Sequence, residues 1–142
     1  LAAKKSNSSR RIFLITGDGE LAEGSNWEAA LAAAHYGLDN LIIINDKNNL
    51  QLAGPTREIM NTDPLADKWK AFGMTVTECQ GNDMASVVAT LEGLKQEGKP
   101  NVVIANTTKG AGISFIQGRP EWHHRVPKGE EIALALEELK DE

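Results

Sequence analysis

The sequence predicts an α/β fold in which helices cover both faces of a parallel sheet. Short, uninterrupted apolar runs, typical of strands buried on both faces, alternate along the chain with longer helix-forming segments. The first two apolar runs each end in a turn rich in glycine or asparagine. We expect one domain over residues 1–142, with 1–10 as the tail of an upstream helix and a linker, and 128–142 as a C-terminal helix.

The first half of the chain predicts a strand, a helix and a second strand. The apolar run Ile12–Ile15 predicts a buried strand. Ser25 and Glu28 stand three residues apart, as in a capping box, and predict the start of an alanine-rich helix that ends at Tyr36. Leu41–Ile44 predicts a second buried strand. Four alanines would let another backbone approach this helix closely: Ala29, Ala30, Ala33 and Ala34.

The second half continues the alternation. It predicts a helix over Pro64–Phe72, a strand over Met74–Thr77, a helix over Asp83–Gln96, a strand over Val102–Ala105 and an acidic helix from Glu130 to about Lys140. The helix over 83–96 places its apolar residues on one face. These residues are Met84, Val87, Val88, Leu91 and Leu94.

Composition excludes several classes of function. The net charge is -5, and the 15 lysines and arginines are scattered, so we expect no nucleic-acid partner. No apolar stretch approaches the roughly 20 residues of a membrane span, so we expect no membrane partner. The single cysteine, Cys79, excludes an internal disulfide and a multi-cysteine metal site, and we expect a cytoplasmic protein.

Polar turns follow the first two predicted strands. Gly17-Asp18-Gly19 follows the first strand, and Asn48 lies in the turn after the second. Because parallel strands end at the same edge of a sheet, Asp18 and Asn48 should meet although they are 30 residues apart. Gly17 and Gly19 should let the main chain approach a ligand and adopt positive φ, and the Gly19 N–H should donate to an anion such as phosphate.

This edge offers a carboxylate, a side-chain amide oxygen and a nearby main-chain carbonyl as ligands. Such oxygen ligands suit Mg²⁺ better than zinc, which prefers histidine and cysteine. The sequence thus predicts a divalent metal that bridges a diphosphate to the sheet. A lone Gly-Asp-Gly is most often a simple turn. Its pairing with "NDKNN" across one helix favours the functional interpretation.

The stretch "GDGELAEGSNWEAALAA...LDNLIIINDKNNLQLAG" resembles the thiamine-diphosphate-binding motif of transketolases. The resemblance runs from Leu1 to about Pro127, and "NNLQLAG" is more similar to the transketolase form than to that of deoxyxylulose-phosphate synthases. It implies Mg²⁺, or Ca²⁺ or Mn²⁺ in its place, bound by the Asp18 carboxylate, the Asn48 side-chain oxygen and the Leu50 carbonyl. It also implies that Gly17, Gly19 and Asn48 lie against the diphosphate of the cofactor.

The resemblance implies roles for three further residues. Glu23 matches a glutamate at the subunit interface that links to a partner's glutamate acting on the cofactor, although an acidic residue in the first turn of a helix needs no such role. Lys109 and His123 match the family's "KGxG" and "WHG" segments, and His123 would hydrogen-bond the diphosphate or the substrate. A solvated lysine and a surface histidine are the simpler alternatives. His124 stands where the family usually has glycine.

The resemblance implies a component of a transketolase, which moves a two-carbon ketol unit from a phosphorylated ketose to an aldose. Such an enzyme would need partners: an upstream N-terminal segment and a chain with the pyrimidine domain, in a two-fold symmetric oligomer. The chain alone would be inactive, as part of a split transketolase. Two alternatives stay open, namely another thiamine-diphosphate enzyme (deoxyxylulose-phosphate-synthase-like or a 2-oxo acid dehydrogenase component) and a non-catalytic cofactor-binding subunit.

Overall fold

A computed structural model describes residues 1–141. The strands are β1 (Ile12–Gly17), β2 (Leu41–Lys47), β3 (Leu50–Gln51), β4 (Gly54–Pro55), β5 (Thr75–Gln80) and β6 (Asn101–Asn106). The α-helices are α1 (Ala2–Lys5), α2 (Gly24–His35), α3 (Thr56–Ile59), α4 (Leu65–Ala71), α5 (Met84–Gly93) and α6 (Glu130–Glu138). Short 3₁₀ turns occupy Glu20–Ala22, Pro120–His123 and Leu139–Asp141.

Four of the strands form one parallel sheet in the order β1-β2-β6-β5, and β3 and β4 form a separate antiparallel pair. In the register of the large sheet, Ile12 pairs with Leu41, Ile42 with Asn101, and Thr75 with Asn101. All four strands therefore end at the same edge, where ligands of open α/β folds bind. The predicted fold class is confirmed.

One face of the sheet is covered by α2 and α4. Trp69 of α4 is almost fully buried, and its ring lies 4.8 Å from that of Trp27 on α2. The ring of Trp27 also lies 5.3 Å from that of Phe72. This cluster continues onto apolar side chains of the central strands, including Ile43 and Ile104. The larger part of the hydrophobic core lies on this face.

The opposite face is covered by α5, which packs Val87, Leu91 and the following Leu94 against Ile42 and Val103. The prediction that Met84 and Val88 share this apolar face is wrong, because they are 70% and 44% exposed. Residues 87, 91 and 94 follow one another at helical spacing, whereas 84 and 88 form a neighbouring stripe that points away from the sheet. The helix also ends at Gly93 rather than Gln96, because the chain becomes extended at Leu94.

The predicted capping box at the start of α2 does not form. The helix begins at Gly24 with Glu23 as its N-cap, so Ser25 and Glu28 both lie inside the helix. Of the four alanines, Ala30 and Ala33 are buried. Ala34 is half-buried beside Gly73, where an added Cβ would lie 3.4 Å from the Ala34 Cβ, and Ala29 is exposed on the outer side of the helix.

The first strand is not buried as predicted. The four apolar side chains of Ile12–Ile15 are 45% to 69% exposed. β1 is an edge strand of the sheet, and within residues 1–141 only β2 pairs with it. Phe13 and Ile15 share the face of Ile42 and Ile44, but α5 covers the inner strands and leaves β1 open. Among the described residues, no helix is long and apolar enough to cross a membrane.

Candidate functional site

The turns after β1 and β2 are joined by the carboxylate of Asp18. This side chain is only 3% exposed, and its Oδ2 accepts hydrogen bonds from the main-chain N–H groups of Asn48 and Asn49, each at 2.7 Å. The sequence correctly predicts that the two turns meet. The contact itself runs through the main chain of the second turn rather than between the two side chains.

The second turn is folded around this carboxylate by its own asparagines. The Asn48 side-chain Oδ1 accepts the N–H of Leu50 at 3.0 Å, while its Nδ2 donates to Asp46 at 3.3 Å. Asn49 has a φ of 61°, in the left-handed region that asparagine tolerates better than most residues. Two adjacent asparagines thus supply the turn conformation and present an amide oxygen beside Asp18.

Burial raises the pKa of the Asp18 carboxyl above its ordinary value of 3.8. The N–H groups of Asn48 and Asn49 lower this pKa, and the nearby Asp46 carboxylate raises it again. A cation at this edge would offset both the burial and the repulsion between the two carboxylates.

The available ligand atoms fit a hard divalent cation. Within residues 1–141, the Oδ1 of Asp18 makes no hydrogen bond. The Asn48 Oδ1 has a second lone pair beyond the one used by Leu50. No group of three or more histidine, cysteine, aspartate or glutamate side chains in the described chain could hold a metal. One carboxylate, one amide oxygen and a carbonyl are nevertheless a set that Mg²⁺ accepts when phosphate and water complete it.

The two glycines of the first turn differ from expectation. Neither Gly17 nor Gly19 has a positive φ, and Gly19 lies in the ordinary helical region at -67°, where it precedes the 3₁₀ turn Glu20–Ala22. The predicted need for left-handed backbone is therefore wrong. An added Cβ on Gly19 would meet nothing within 4 Å, so the space above this main chain is open to a ligand. Glu20, for which the sequence made no prediction, accepts the Gly17 N–H with its Oε2 at 2.7 Å.

Lys109 and His123 lie next to each other at the end of β6. The Lys109 Nζ is 3.3 Å from the His123 Nδ1, although the residues are 14 apart in the chain. The pKa of His123 is lowered by partial loss of solvent, then by the charge of Lys109 and then by His124, whose ring lies 4.6 Å away. A neutral imidazole at neutral pH can both accept and donate a hydrogen bond.

Thr107, for which the sequence made no prediction, ties the loop that carries Lys109 to the end of β2. Its N–H donates to the Lys47 carbonyl at 3.0 Å, and its hydroxyl donates to the Asp46 carboxylate. Residues 107–109 follow β6 directly, and β6 is the neighbour of β2 in the sheet. The Asp18 turn and the Lys109–His123 pair are therefore placed along one edge.

Glu23 lies apart from these groups, at the N-cap of α2. It is exposed, and its carboxylate makes no hydrogen bond or ion pair with any side chain or N–H group in the described part of the chain. Its position leaves the carboxylate available to another protein surface.

Comparison with known proteins identifies relatives over nearly the whole chain. The family model described as "Transketolase, thiamine diphosphate binding domain" matches residues 3–140. An apulose-4-phosphate transketolase subunit of Actinobacillus succinogenes is 75% identical over 142 residues, which are all of this chain and 51% of that protein. A 6-deoxy-6-sulfo-D-fructose transketolase subunit of a Clostridium species is 39% identical over 143 residues, covering all of this chain and 52% of that protein.

Solved structures agree in fold. The crystal structure of transketolase from Campylobacter jejuni superposes with a TM-score of 0.89 at 31% identity, covering 96% of this chain and 22% of that one. A transketolase from Leishmania mexicana gives a TM-score of 0.77 at 33% identity, covering 88% of this chain and 19% of that one. The chain spans about half the length of the curated relatives described above.

The two hydrogen bonds that the Asp18 carboxylate accepts from the N–H groups of Asn48 and Asn49, called the Asp18 clasp below, should contribute to stability. Asp18→Ala leaves the N–H groups of Asn48 and Asn49 without their acceptor and should destabilise the metal-free protein by about 2 kcal/mol at pH 7. Asp18→Asn keeps an oxygen acceptor and removes a buried charge, so its unfolding free energy should stay within about 1 kcal/mol of the parent. Urea unfolding in EDTA, followed by circular dichroism, measures both.

The pH dependence checks the same assignment. Because the folded-state pKa of Asp18 is raised, the stabilising protonated form is lost as the pH rises from 3.8 through that folded value. The parent should lose stability over this window relative to Asp18→Asn. Equal stability of the alanine and asparagine variants, with no difference in pH dependence from the parent, would contradict the clasp.

Proposed function

Because the chain belongs to the transketolase family, as a thiamine diphosphate-binding domain, we propose that it is a component of an enzyme that transfers a two-carbon ketol unit from a phosphorylated ketose to an aldose. The observation that carries this proposal is the Asp18 clasp, which presents a charged oxygen and an amide oxygen at the sheet edge. Apulose 4-phosphate is the proposed donor, since the relative named for that sugar is 75% identical.

In this proposal the sheet edge holds the diphosphate of the cofactor through a metal ion. The Asp18 Oδ1, the Asn48 Oδ1 and the Leu50 carbonyl would hold Mg²⁺, or Ca²⁺ or Mn²⁺ in its place. The open space above Gly19 would admit the diphosphate to the main-chain N–H, with Gly17 beside it in the same turn. When bound, thiamine diphosphate supplies the carbanion-stabilising chemistry that ketol transfer requires.

The Lys109–His123 pair acts on the same ligands from the end of β6. The ammonium group would attract phosphate oxygens, and its charge adds to the loss of solvent that lowers the pKa of the His123 imidazole. A neutral imidazole can hydrogen-bond to a hydroxyl or phosphate oxygen of the sugar. It can also transfer a proton to or from the hydroxyl oxygen. Glu23, exposed at the start of α2, is proposed to meet a glutamate of the partner subunit.

The proposed enzyme includes protein that lies outside this chain. The exposed apolar side chains of Ile12–Ile15 support this, because strands of a parallel sheet are normally covered on both faces. We propose that the upstream N-terminal segment covers β1 and that a pyrimidine-domain chain completes the cofactor cleft, in a two-fold symmetric oligomer. The relatives from Actinobacillus and Clostridium are about twice as long, and both are named as transketolase subunits.

Cofactor binding tests the proposal directly. In the assembled protein, calorimetric titration should show thiamine diphosphate binding only with Mg²⁺, and Asp18→Asn should weaken it by about 100-fold or more, since even groups that only support metal ligands are worth 10–100-fold. Asp39→Asn is the matched control. Asp39 forms an ion pair with Lys4 and lies just before β2, at the end of the sheet opposite to Asp18. Unchanged binding by Asp18→Asn would overturn the metal assignment.

The assembled parent should also transfer a ketol unit from apulose 4-phosphate. Tight cofactor binding without any transfer to an aldose acceptor would favour the alternative of a non-catalytic subunit. Activity only with 2-oxo acid donors would favour the dehydrogenase type, which "NNLQL" makes the weaker candidate.

The two adjacent histidines should differ in effect. His123→Ala should lower kcat by about 100-fold while the cofactor Kd changes by less than about threefold, because the imidazole contacts reacting groups rather than the metal. His124→Asn should leave both within about threefold. Steady-state kinetics and calorimetry on the two variants decide this, and the reverse ranking would assign the role to His124.

The open strand should be an assembly surface. Ile15→Glu places a charge where the side chain is 69% exposed in this chain, and it should prevent assembly if that face is covered. Val88→Glu, on the outward stripe of α5, should not. Native mass measured by light scattering separates the two cases. Assembly of Ile15→Glu with parental mass would contradict the proposed cover over β1.

A further inference from the structure

Two glutamates of α6 face the body of the protein. Glu131 and Glu138 are seven residues apart, about two helical turns, so they lie on the same face of the helix. Ala135, which lies between them on that face, is only 7% exposed. By contrast, Ile132, Leu134 and Leu136 are about half exposed or more, so the face carrying the glutamates is the one that packs.

Glu138 holds the middle of the loop that carries Lys109. Its Oε2 accepts the main-chain N–H of Ser114 at 2.5 Å, and its Oε1 accepts the Ser114 hydroxyl at 2.7 Å. Both oxygens of the carboxylate are therefore used on one residue. The serine hydroxyl and then its N–H lower the pKa of Glu138, as expected for an acceptor that is ionised when it binds.

The loop passes this restraint on to Lys109 because it is closed and internally packed. The Gly118 N–H donates to the Lys109 carbonyl at 2.8 Å, which joins its two ends. Gly110 has a φ of +69°, and an added Cβ there would lie 2.6 Å from the Ile116 side chain. Because the loop is closed by this hydrogen bond and packed against itself, we expect the position of Ser114 to affect the position of Lys109.

Glu131 holds the segment on the other side of His123. Its carboxylate pairs with the Arg125 guanidinium and accepts the Lys128 N–H at 3.0 Å. The Arg125 guanidinium lies 4.1 Å from the ring centre of Trp122, which is buried next to His123. The Trp122 ring also packs edge-on against Phe115 of the loop, at 5.4 Å.

We propose that α6 braces the two segments that form the Lys109–His123 pair, and that Glu138 is a positioning residue that keeps Lys109 beside the imidazole. The importance of the pair for ketol transfer rests on the proposed function, but the brace itself does not. Glu138 touches neither cofactor nor substrate in this scheme and acts only through the loop.

The alternative is that Glu138 makes an ordinary surface hydrogen bond with no effect on the pair. The direction in which the pKa of His123 changes when Glu138 is substituted separates the two possibilities. Loss of the Glu138 charge alone would lower the pKa of a nearby histidine, because a stabilising negative charge disappears. Movement of Lys109 away from the ring would instead raise it, because a repelling positive charge recedes. Within residues 1–141, His124 is the other titratable group that acts on His123.

The experiment compares Glu138→Gln, Ser114→Ala and Glu137→Gln in the assembled protein. NMR titration of ¹³C-labelled histidine, with His123 assigned by its alanine variant, measures the pKa. The first two variants should raise the pKa of His123 by about 0.3 or more. Glu137→Gln removes an equal charge from the same helix, where Glu137 pairs only with Lys140 among described residues, and should not raise it.

Kinetics supply the second readout. Glu138→Gln and Ser114→Ala should each lower kcat/KM for the ketose phosphate by about fivefold, and the double variant by no more than the larger single effect. Because Ser114→Ala keeps every charge and removes only the hydroxyl, it preserves the test if Glu138→Gln fails to fold. An unchanged or lowered pKa of His123 in Ser114→Ala would overturn the brace. A parent without ketol transfer would overturn the proposed function, while the titration would still decide the brace.

Discussion

The hydrogen bonds from Asn48 and Asn49 to the Asp18 carboxylate are the interaction on which the site depends. They join the ends of two neighbouring parallel strands, and they exist only because β1 and β2 run in register from Ile12 opposite Leu41. The single helix between the strands sets that arrangement, since a right-handed crossover returns the chain to the same edge. One carboxylate thus fixes the shape of the second turn and remains able to bind a cation.

This double use of Asp18 has an energetic cost in the absence of a ligand. A carboxylate that is 3% exposed and close to Asp46 is harder to ionise, and two N–H groups compensate only in part. A cation bound at this position would offset the cost of burying the Asp18 charge. If Asp18 binds the cation as proposed, stability and cofactor binding are linked through this one side chain.

The rest of the edge is assembled by elements that do not touch Asp18. Thr107 ties the loop after β6 to Asp46, and α6 holds that loop through Ser114 and the following segment through Arg125. Lys109 and His123 meet as a result of these contacts rather than of any local sequence motif. The first strand shows the opposite situation, because the elements among the described residues leave its apolar side chains about half exposed or more.

The sequence by itself determined the parallel α/β fold, the family, and the meeting of the turns that carry Asp18 and Asn48. The fold and the meeting of the turns follow from apolar runs, turn chemistry and the rule that parallel strands end at one edge, all of which are local or topological. The family follows instead from the resemblance of the stretch that carries Asp18 and Asn48 to the transketolase motif. Only the tertiary structure decided that β1 is open, that α2 begins before Ser25, that Gly19 has ordinary φ, and that Glu138 holds the Lys109 loop. Those features depend on which surfaces pack together and on contacts between residues far apart in the chain, and a local pattern carries no record of either.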